Sequence, residues 1–475
     1  MVGAVAGPAD PERPVVVRKR PRNRSGSAGS PPWRDRVLWA VGGLAFGLRA
    51  IWVFAFARIP EGLSDPFLYH GYAIRLANGR GYQSLVDEPT AYYPPGYPFF
   101  LGGIYEVVDL LGLDHQLDTV VGLAQSLLWA TAAVAVVLMA RWAFDGEKGR
   151  RVGLVAGLLL ACWPNLVTYA AAWLSESLFV ALFAVSVAAL THAARIDSTI
   201  GAHRAALVVA GLATGAATMV RPQVLLGLPL VALAWLLSGL GWRRVLLLAA
   251  SLAAGVAVFV VPWTIRNASV MGEAVPVSTN GGDNLCIGFH PGARGSFQFP
   301  IEYCDTGEFW NDGPDAELRR NADTRQRAMD YITSEPLSLP WLSARKLFYT
   351  YRSDDDGLVA GESYGATTVL DSPWRGTWLT FAHTAYAPIM LMAAAGLVLA
   401  ARIWWRDRRL AGVAALLGLA LAGLFVPVLF FGDPRFKVPA TPLLAVFAAL
   451  AGVTLARALA RRRGGTAKSW DRSRT

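Results

Sequence analysis

The chain alternates between blocks of unbroken apolar sequence and two kinds of connector, short basic ones and long polar ones. A block of about 20 apolar residues is long enough to cross a bilayer as a helix. Ten such spans are expected, at about 37–57, 117–140, 152–170, 173–194, 205–219, 222–239, 244–262, 378–401, 410–431 and 438–457. The fifth is short for a bilayer, which fits a tilted or partly re-entrant helix. The stretch 95–112 is apolar but rich in Gly and Pro, so it is expected as an interfacial helix rather than a span. No ten-residue alternating segments of the kind that build a membrane barrel stand out. The pattern predicts an all-α polytopic membrane protein of about ten transmembrane helices.

Composition agrees: 54% of the 475 residues are hydrophobic and 16% charged, against about 25% charged in soluble domains. Charge then orients the map. With the N-terminus inside, the cytoplasmic segments are 1–36, 141–151, 195–204, 240–244, 402–409 and 457–475. They hold 27 of the 44 Lys and Arg residues but only 8 of the 34 Asp and Glu residues. Short basic loops are retained inside, so both termini are expected in the cytoplasm of a cell that carries this chain in its plasma membrane. The net charge of +10 is thus a topology signal, and no nucleic-acid partner is expected. Residues 1–36, with a basic run from Arg18 to Arg24, read as a disordered basic tail touching anionic headgroups, with no cleavable signal. Residues 458–475 read as a second basic tail, leaving 37–457 as the membrane domain.

Two long segments, 58–116 and 263–377, then fall on the extracytoplasmic face. Both read as short interfacial helices and turns packed over the bundle rather than as separate domains. An amphipathic run from Phe67 to Asn78 and a helix from Ala316 to Ile332 are expected within them. Glu335-Pro336 ends the second, because the residue before proline is disfavoured in the helical region.

The first of these segments carries the sharpest chemistry. Asp65, in Ser64-Asp65-Pro66, suits a helix start. It also suits a carboxylate held at the membrane edge to take the proton of an acceptor alcohol, and the two readings are compatible. Glu176 lies at the outer end of a span, where an ionisable group is expensive and usually faces a cavity or a partner. It is a candidate for binding a sugar hydroxyl or, with Asp65, a metal. Arg49, Arg221, Arg266, Arg435 and Lys437 are candidate phosphate binders, since a guanidinium grips phosphate with a planar fork of donors. His70 is a candidate addition to the Asp65 site. Tyr93 and Tyr97, in Tyr92-Tyr93-Pro94-Pro95-Gly96-Tyr97-Pro98, are candidates for stacking on a sugar ring or a lipid chain. Cys286 and Cys304 share one outer segment on an oxidising face and are candidates for a disulfide. The six His and three Cys residues show no zinc spacing. No cofactor is firmly implied, and a divalent cation, magnesium or manganese, stays open. No nucleotide-binding glycine motif occurs.

Taken together these segments resemble the GT-C superfamily of polyprenyl-phosphate-sugar-dependent membrane glycosyltransferases, in the branch of protein O-mannosyltransferases and lipid A aminoarabinose transferases. Five segments carry the resemblance: Asp65-Pro66-Phe67-Leu68-Tyr69 with Gly79-Arg80-Gly81-Tyr82 and Tyr93 to Pro98; Ser175-Glu176-Ser177-Leu178; Arg221-Pro222; Pro262 to Asn267 with Gly281 to Leu285; and Arg435-Phe436-Lys437-Val438-Pro439 with Pro442. It runs from about residue 37 to 457. Two positions depart from the pattern: Pro66 stands where many relatives carry a second acid, and Phe436 replaces a usual Tyr.

The resemblance implies inverting transfer of a sugar from a polyprenyl-phosphate donor at the outer face, with Asp65 as the catalytic carboxylate. The expected partners are that donor, membrane lipid, and a glycan, lipid or protein acceptor, in cell-envelope assembly or protein glycosylation. The rival readings are a transporter or flippase of lipid-linked sugars, and a non-catalytic scaffold of the same fold. Internal repeats would favour the transporter, and none is visible. Scattering of Asp65, Glu176 and the arginines over the molecule would favour the scaffold.

Overall fold

The computed structural model describes residues 35–195, 200–299, 301–308 and 312–471. Residues 1–34 of the expected N-terminal tail (1–36), the connector at 196–199 and the last four residues lie outside them. The described chain is helical throughout; its only β features are isolated bridges pairing Gln83 with Pro89 and Ser296 with Gly432.

Helices follow in the order α1 (Arg36–Phe56), α2 (Asp65–Ala77), α3 (Gly96–Leu111), α4 (Leu117–Ala143), α5 (Gly146–Cys162), α6 (Pro164–Thr168), α7 (Glu176–Ala193), α8 (Ile200–Val220) and α9 (Gly227–Leu237). They continue with α10 (Trp242–Met271), α11 (Gly281–Gly288), α12 (Pro314–Ser334), α13 (Leu339–Tyr351), α14 (Asp356–Gly361), α15 (Trp374–Arg406), α16 (Ala411–Leu429) and α17 (Thr441–Asp471). Asp35 caps α1, its carboxylate accepting from the Val37 amide at 2.9 Å, and pairs with Arg141 at the end of α4.

Among the described residues, eight helices are long and apolar enough to cross a membrane. They match eight of the ten expected spans and make this a multi-pass membrane protein. The other two are helical but interrupted at proline. The span expected at 152–170 is broken by Pro164 into α5, of 17 residues, and the five-residue α6. The span at 222–239 begins as a 3-10 turn over Pro222–Leu226, so its α-helical part, α9, has only 11 residues. The span expected to be short is full length, since α8 runs for 21 residues.

The bundle is built by α4 packing on α1, α5 and α7, by α7 on α8, and by α8 on α10; α17 packs on α15 and α5, and α16 on α9. Backbones approach closely between α8 and α10, as they do between α15 and α17, where a Cβ at Gly396 would lie 1.7 Å from the Phe447 carbonyl oxygen. A Cβ at Gly255 would lie 2.1 Å from the Gly211 carbonyl carbon, so this contact depends on small residues as membrane helix pairs often do. Over one end of the bundle lie two caps: α2 and α3 after α1, and α11 to α14 between α10 and α15. Within the second cap Cys286 and Cys304 form a disulfide, as expected, and α12 ends at Ser334, one residue before Glu335-Pro336.

Candidate active site

Five chain segments far apart in sequence meet where the caps join the bundle. Ser64 and Pro66 start α2, and this places Asp65 in its first turn. Ser64 makes no capping bond, and the Asp65 carboxylate points elsewhere: Oδ2 accepts from Arg435 Nη1 at 2.7 Å and Oδ1 accepts from the Tyr93 hydroxyl at 2.6 Å. Tyr93 comes from the stiff Pro-rich run that leads into α3. Arg435 lies in a 3-10 turn over Pro434–Ala440, which Asp433 caps by accepting from the Arg435 amide at 2.9 Å.

Arg435 also reaches across to α7. Its Nε donates to Glu176 Oε1 at 2.9 Å, and Arg221, following α8, donates to the same oxygen. Arg221 Nε donates further to Ser175 Oγ at 3.1 Å. Two carboxylates and two guanidiniums thus form one neutral group, graded in exposure. Glu176 is fully buried, while 30% of the Asp65 side chain is accessible. Among the described residues, Arg435 Nη2 and Arg221 Nη1 make no hydrogen bond. Each arginine is locked by part of its fork and keeps one donor to spend.

Burial pushes the Asp65 carboxyl up, but Arg435, the Tyr93 hydroxyl and Arg221 outweigh it and hold the group below its ordinary value of 3.8. Burial and the Asp65 charge push Tyr93 well up, so its hydroxyl stays a donor. The loop bearing Arg435 is braced from below. The Gly432 amide donates to the Gly295 carbonyl at 2.8 Å, and a Cβ at Gly432 would lie 2.4 Å from the Lys346 carbonyl oxygen, so only glycine fits. Beneath that loop the buried Lys346 donates to the Val428 carbonyl at 3.2 Å and stacks on Phe289. Phe436, which replaces the usual Tyr, packs on Phe431 with ring centroids 4.9 Å apart.

Of the residues singled out in the sequence, Asp65, Glu176, Arg221, Arg435 and Tyr93 come together. The others do not. Lys437 is corrected: it is fully buried between Asp354 at 3.1 Å and Asp356 at 3.3 Å, with its remaining bonds to the Ser353 and Pro434 carbonyls. It therefore has no donor to offer a phosphate. Arg49 is corrected likewise: it is buried under Trp129 and bonded to the Ala45, Ala161 and Leu160 carbonyls. Arg266 stacks on Trp263 and holds the first cap through the Tyr82 and Thr90 carbonyls at 2.6 and 2.7 Å. His70 bonds the Tyr105 hydroxyl at 2.7 Å, and Tyr97 is buried against Gln125 at 3.1 Å.

One participant was not anticipated. The Tyr364 hydroxyl accepts from Arg435 Nη1 at 3.0 Å. Its backbone lies in the left-handed region at φ 57°, next to Ser363 at φ 48°. Such strain concentrates at functional sites, but nothing in the local sequence announces it.

The arrangement does not suit a divalent cation at Asp65 and Glu176, because the Arg435 guanidinium fills the bridging position between them. Among the described residues no three His, Cys, Asp or Glu side chains form a metal-holding group.

No family model matches the chain, and no curated protein does either. Solved structures do. The archaeal oligosaccharyltransferase AglB from Archaeoglobus fulgidus, in complex with an inhibitory peptide and a dolichol-phosphate, aligns over 91% of this chain at 17% identity with a TM-score of 0.54. The same enzyme with zinc and sulfate aligns over 90% at 17% identity with a TM-score of 0.52. The chain spans about half of their length, 51% and 50%. ArnT from Cupriavidus metallidurans bound to undecaprenyl phosphate aligns over 87% of this chain and 77% of its own at 14% identity, with a TM-score of only 0.41. The chain therefore shares its fold with about half of an archaeal oligosaccharyltransferase.

Proposed function

We propose that the protein is an integral membrane glycosyltransferase that moves a sugar from a polyprenyl-phosphate donor to an acceptor hydroxyl, with inversion, at the extracytoplasmic face. The observation that carries this reading is the convergence of Asp65 with two arginines that each keep an unused donor. A scaffold has no need of a partly accessible carboxylate next to unspent guanidinium nitrogens.

In this reading the donor phosphate docks on Arg435 Nη2 and Arg221 Nη1. The acceptor hydroxyl donates to Asp65 and attacks the anomeric carbon from the face opposite the phosphate. The new bond joins the acceptor oxygen to that carbon, the bond from carbon to phosphate oxygen breaks, its electron pair leaves with the phosphate, and the acceptor proton passes to Asp65. Charge grows on the leaving phosphate, where fixed cations act most strongly.

The donor's lipid chain has a place nearby. A cleft of about 700 Å³ between the end of α1 and the start of α15 is lined by Trp52, Phe56, Leu370, Trp374, Trp378 and Phe381. One of its walls follows directly on the segment that brings Tyr364 to Arg435. The match to a structure described with a dolichol-phosphate agrees with a lipid-linked donor. No step is routed through a metal.

The test is purified protein in lipid, offered a panel of radiolabelled polyprenyl-phosphate sugars and scored for release of polyprenyl phosphate. Consumption of at least one donor is expected. Inertness toward the whole panel, in protein that is folded and monodisperse, would overturn the reading.

A further inference from the structure

The second cap holds a polar cleft that the reaction described above leaves unused. It has a volume of about 530 Å³, and His290, Arg294, Gln298, Glu302 and Tyr303 stand in its walls. Ligand clefts are typically about 300–1,000 Å³.

This cleft is built rather than incidental. The Cys286–Cys304 disulfide ties its two sides together. Arg327 clamps the Tyr303 and Asp305 carbonyls, each at 2.8 Å, while the Tyr303 hydroxyl donates back to the Arg327 carbonyl at 2.9 Å. That reciprocal pair fixes the Tyr303 ring. The Gln298 side chain is oriented by accepting from the Arg294 amide at 3.0 Å. His290 is only 4% exposed, and its Nε2 is buried without a hydrogen-bond partner.

The two charged groups are free. Among the described residues, neither the Arg294 guanidinium nor the Glu302 carboxylate makes a side-chain hydrogen bond or an ion pair, and both residues are exposed. Their opposite signs narrow the ligand. A phosphate would meet the Glu302 charge, a cation the Arg294 charge, and an apolar chain would strip water from both. A neutral ligand that is donor and acceptor at once satisfies all the walls. Vicinal hydroxyls can bridge a carboxylate, a guanidinium fork and an amide, each with two sites in fixed geometry, and an aromatic ring offers a face to the C–H side of a sugar.

We infer that this cleft is a saccharide-binding site and that it holds the acceptor glycan. The position supports the second half of the statement. Gly295, one residue from Arg294, accepts the amide of Gly432, three residues before Arg435, so the loop that lines the cleft is bonded directly to the loop that carries the transfer-site arginine. Naming the saccharide as the acceptor rests on the proposed transfer reaction; the binding itself does not.

The experiment is an oligosaccharide array probed with fluorescently tagged full-length protein in detergent, as wild type, Glu302→Gln and Arg294→Ala. Both positions are exposed, and the melting temperature of each variant is recorded beside its binding. Capture of the wild type by at least one class of neutral oligosaccharide is expected, with a loss of about tenfold in each variant, the weight of one charge-assisted hydrogen bond. No capture of the wild type, or capture undiminished in both variants, would overturn the site, as would capture by phosphorylated glycans alone. The array needs no donor and no turnover, so a negative result leaves the donor-consumption test untouched, and inertness toward donors leaves the saccharide site standing.

Discussion

Arg435 and Lys437 are two residues apart in one turn, and each is the cation of a buried carboxylate cluster, yet the clusters are built to opposite ends. Around Lys437 every valence is used. Asp354 takes bonds from Lys437, Trp163 and Asn165, and Asp356 from Lys437, Asn165 and Tyr169. None of its three charged groups is more than 7% exposed. Around Arg435 the group is neutral overall but unfinished: Asp65 reaches the surface and guanidinium nitrogens remain unbonded. A saturated buried ion cluster fixes the backbone, here tying α14 and α6 to the start of α17. An unsaturated one at a surface is available to a ligand. Buried charge alone does not mark a candidate site; the unspent donor beside the accessible acceptor does.

That contrast breaks first at Asp65. Asp65→Asn is expected to lower sugar transfer by about 10²–10⁴-fold, the usual weight of a general base, in protein that still expresses and unfolds cooperatively, as assayed by donor turnover and thermal unfolding. Full activity in this variant would remove Asp65 from the chemistry. Lys437→Met should do the reverse. Leaving two buried carboxylates without their cation destabilises by about 3–5 kcal/mol, so folded yield and thermal stability drop, while molecules that do fold keep their donor KM. An unchanged yield with a raised KM would place Lys437 at the donor after all.

Finer effects concern protons. The folded-state value of Asp65 is depressed, so the ionised form and its contribution to stability persist above the ordinary 3.8 and are lost only as pH falls through the lower folded value. Tyr93→Phe removes one of the bonds that hold it down and should move the acid limb of the rate–pH profile upward by about one unit; an unmoved limb would separate Tyr93 from the base. Lys346 bears on stability rather than on rate. Burial pushes it down to about 7, so between that value and the ordinary 10.5 the unfolded chain binds the extra proton. Stability therefore rises with pH across this window, by at most about 1.4 kcal/mol per unit. Lys346→Met should flatten that slope in thermal unfolding measured from pH 7 to 10.

Most of the fold was legible because bilayer-spanning segments announce themselves by length and apolarity, with no need of tertiary information. Two spans are interrupted, at Pro164 and Pro222, where proline breaks or tightens a helix that hydropathy alone reads as continuous. The site was half legible. Asp65, Glu176 and the arginines could be named as residue types suited to the task. The partner of Asp65 could not, because it lies 370 residues away. Nor could Arg435 be told from Lys437: positions two apart in a helical turn face different sides, and nothing in the local sequence says which side meets Asp65. Tyr364 was invisible because its role comes from a left-handed backbone in the second cap rather than from any motif.

The 3-10 turn that bears Arg435 runs without a break into α17 at Thr441. A membrane helix answers a thicker or thinner bilayer by changing its tilt, and a tilt of the last helix would swing its leading turn. The guanidinium that bridges Asp65 and Glu176 thus sits at the leading end of a candidate membrane span, and sugar transfer is expected to respond to acyl-chain length in a reconstituted bilayer.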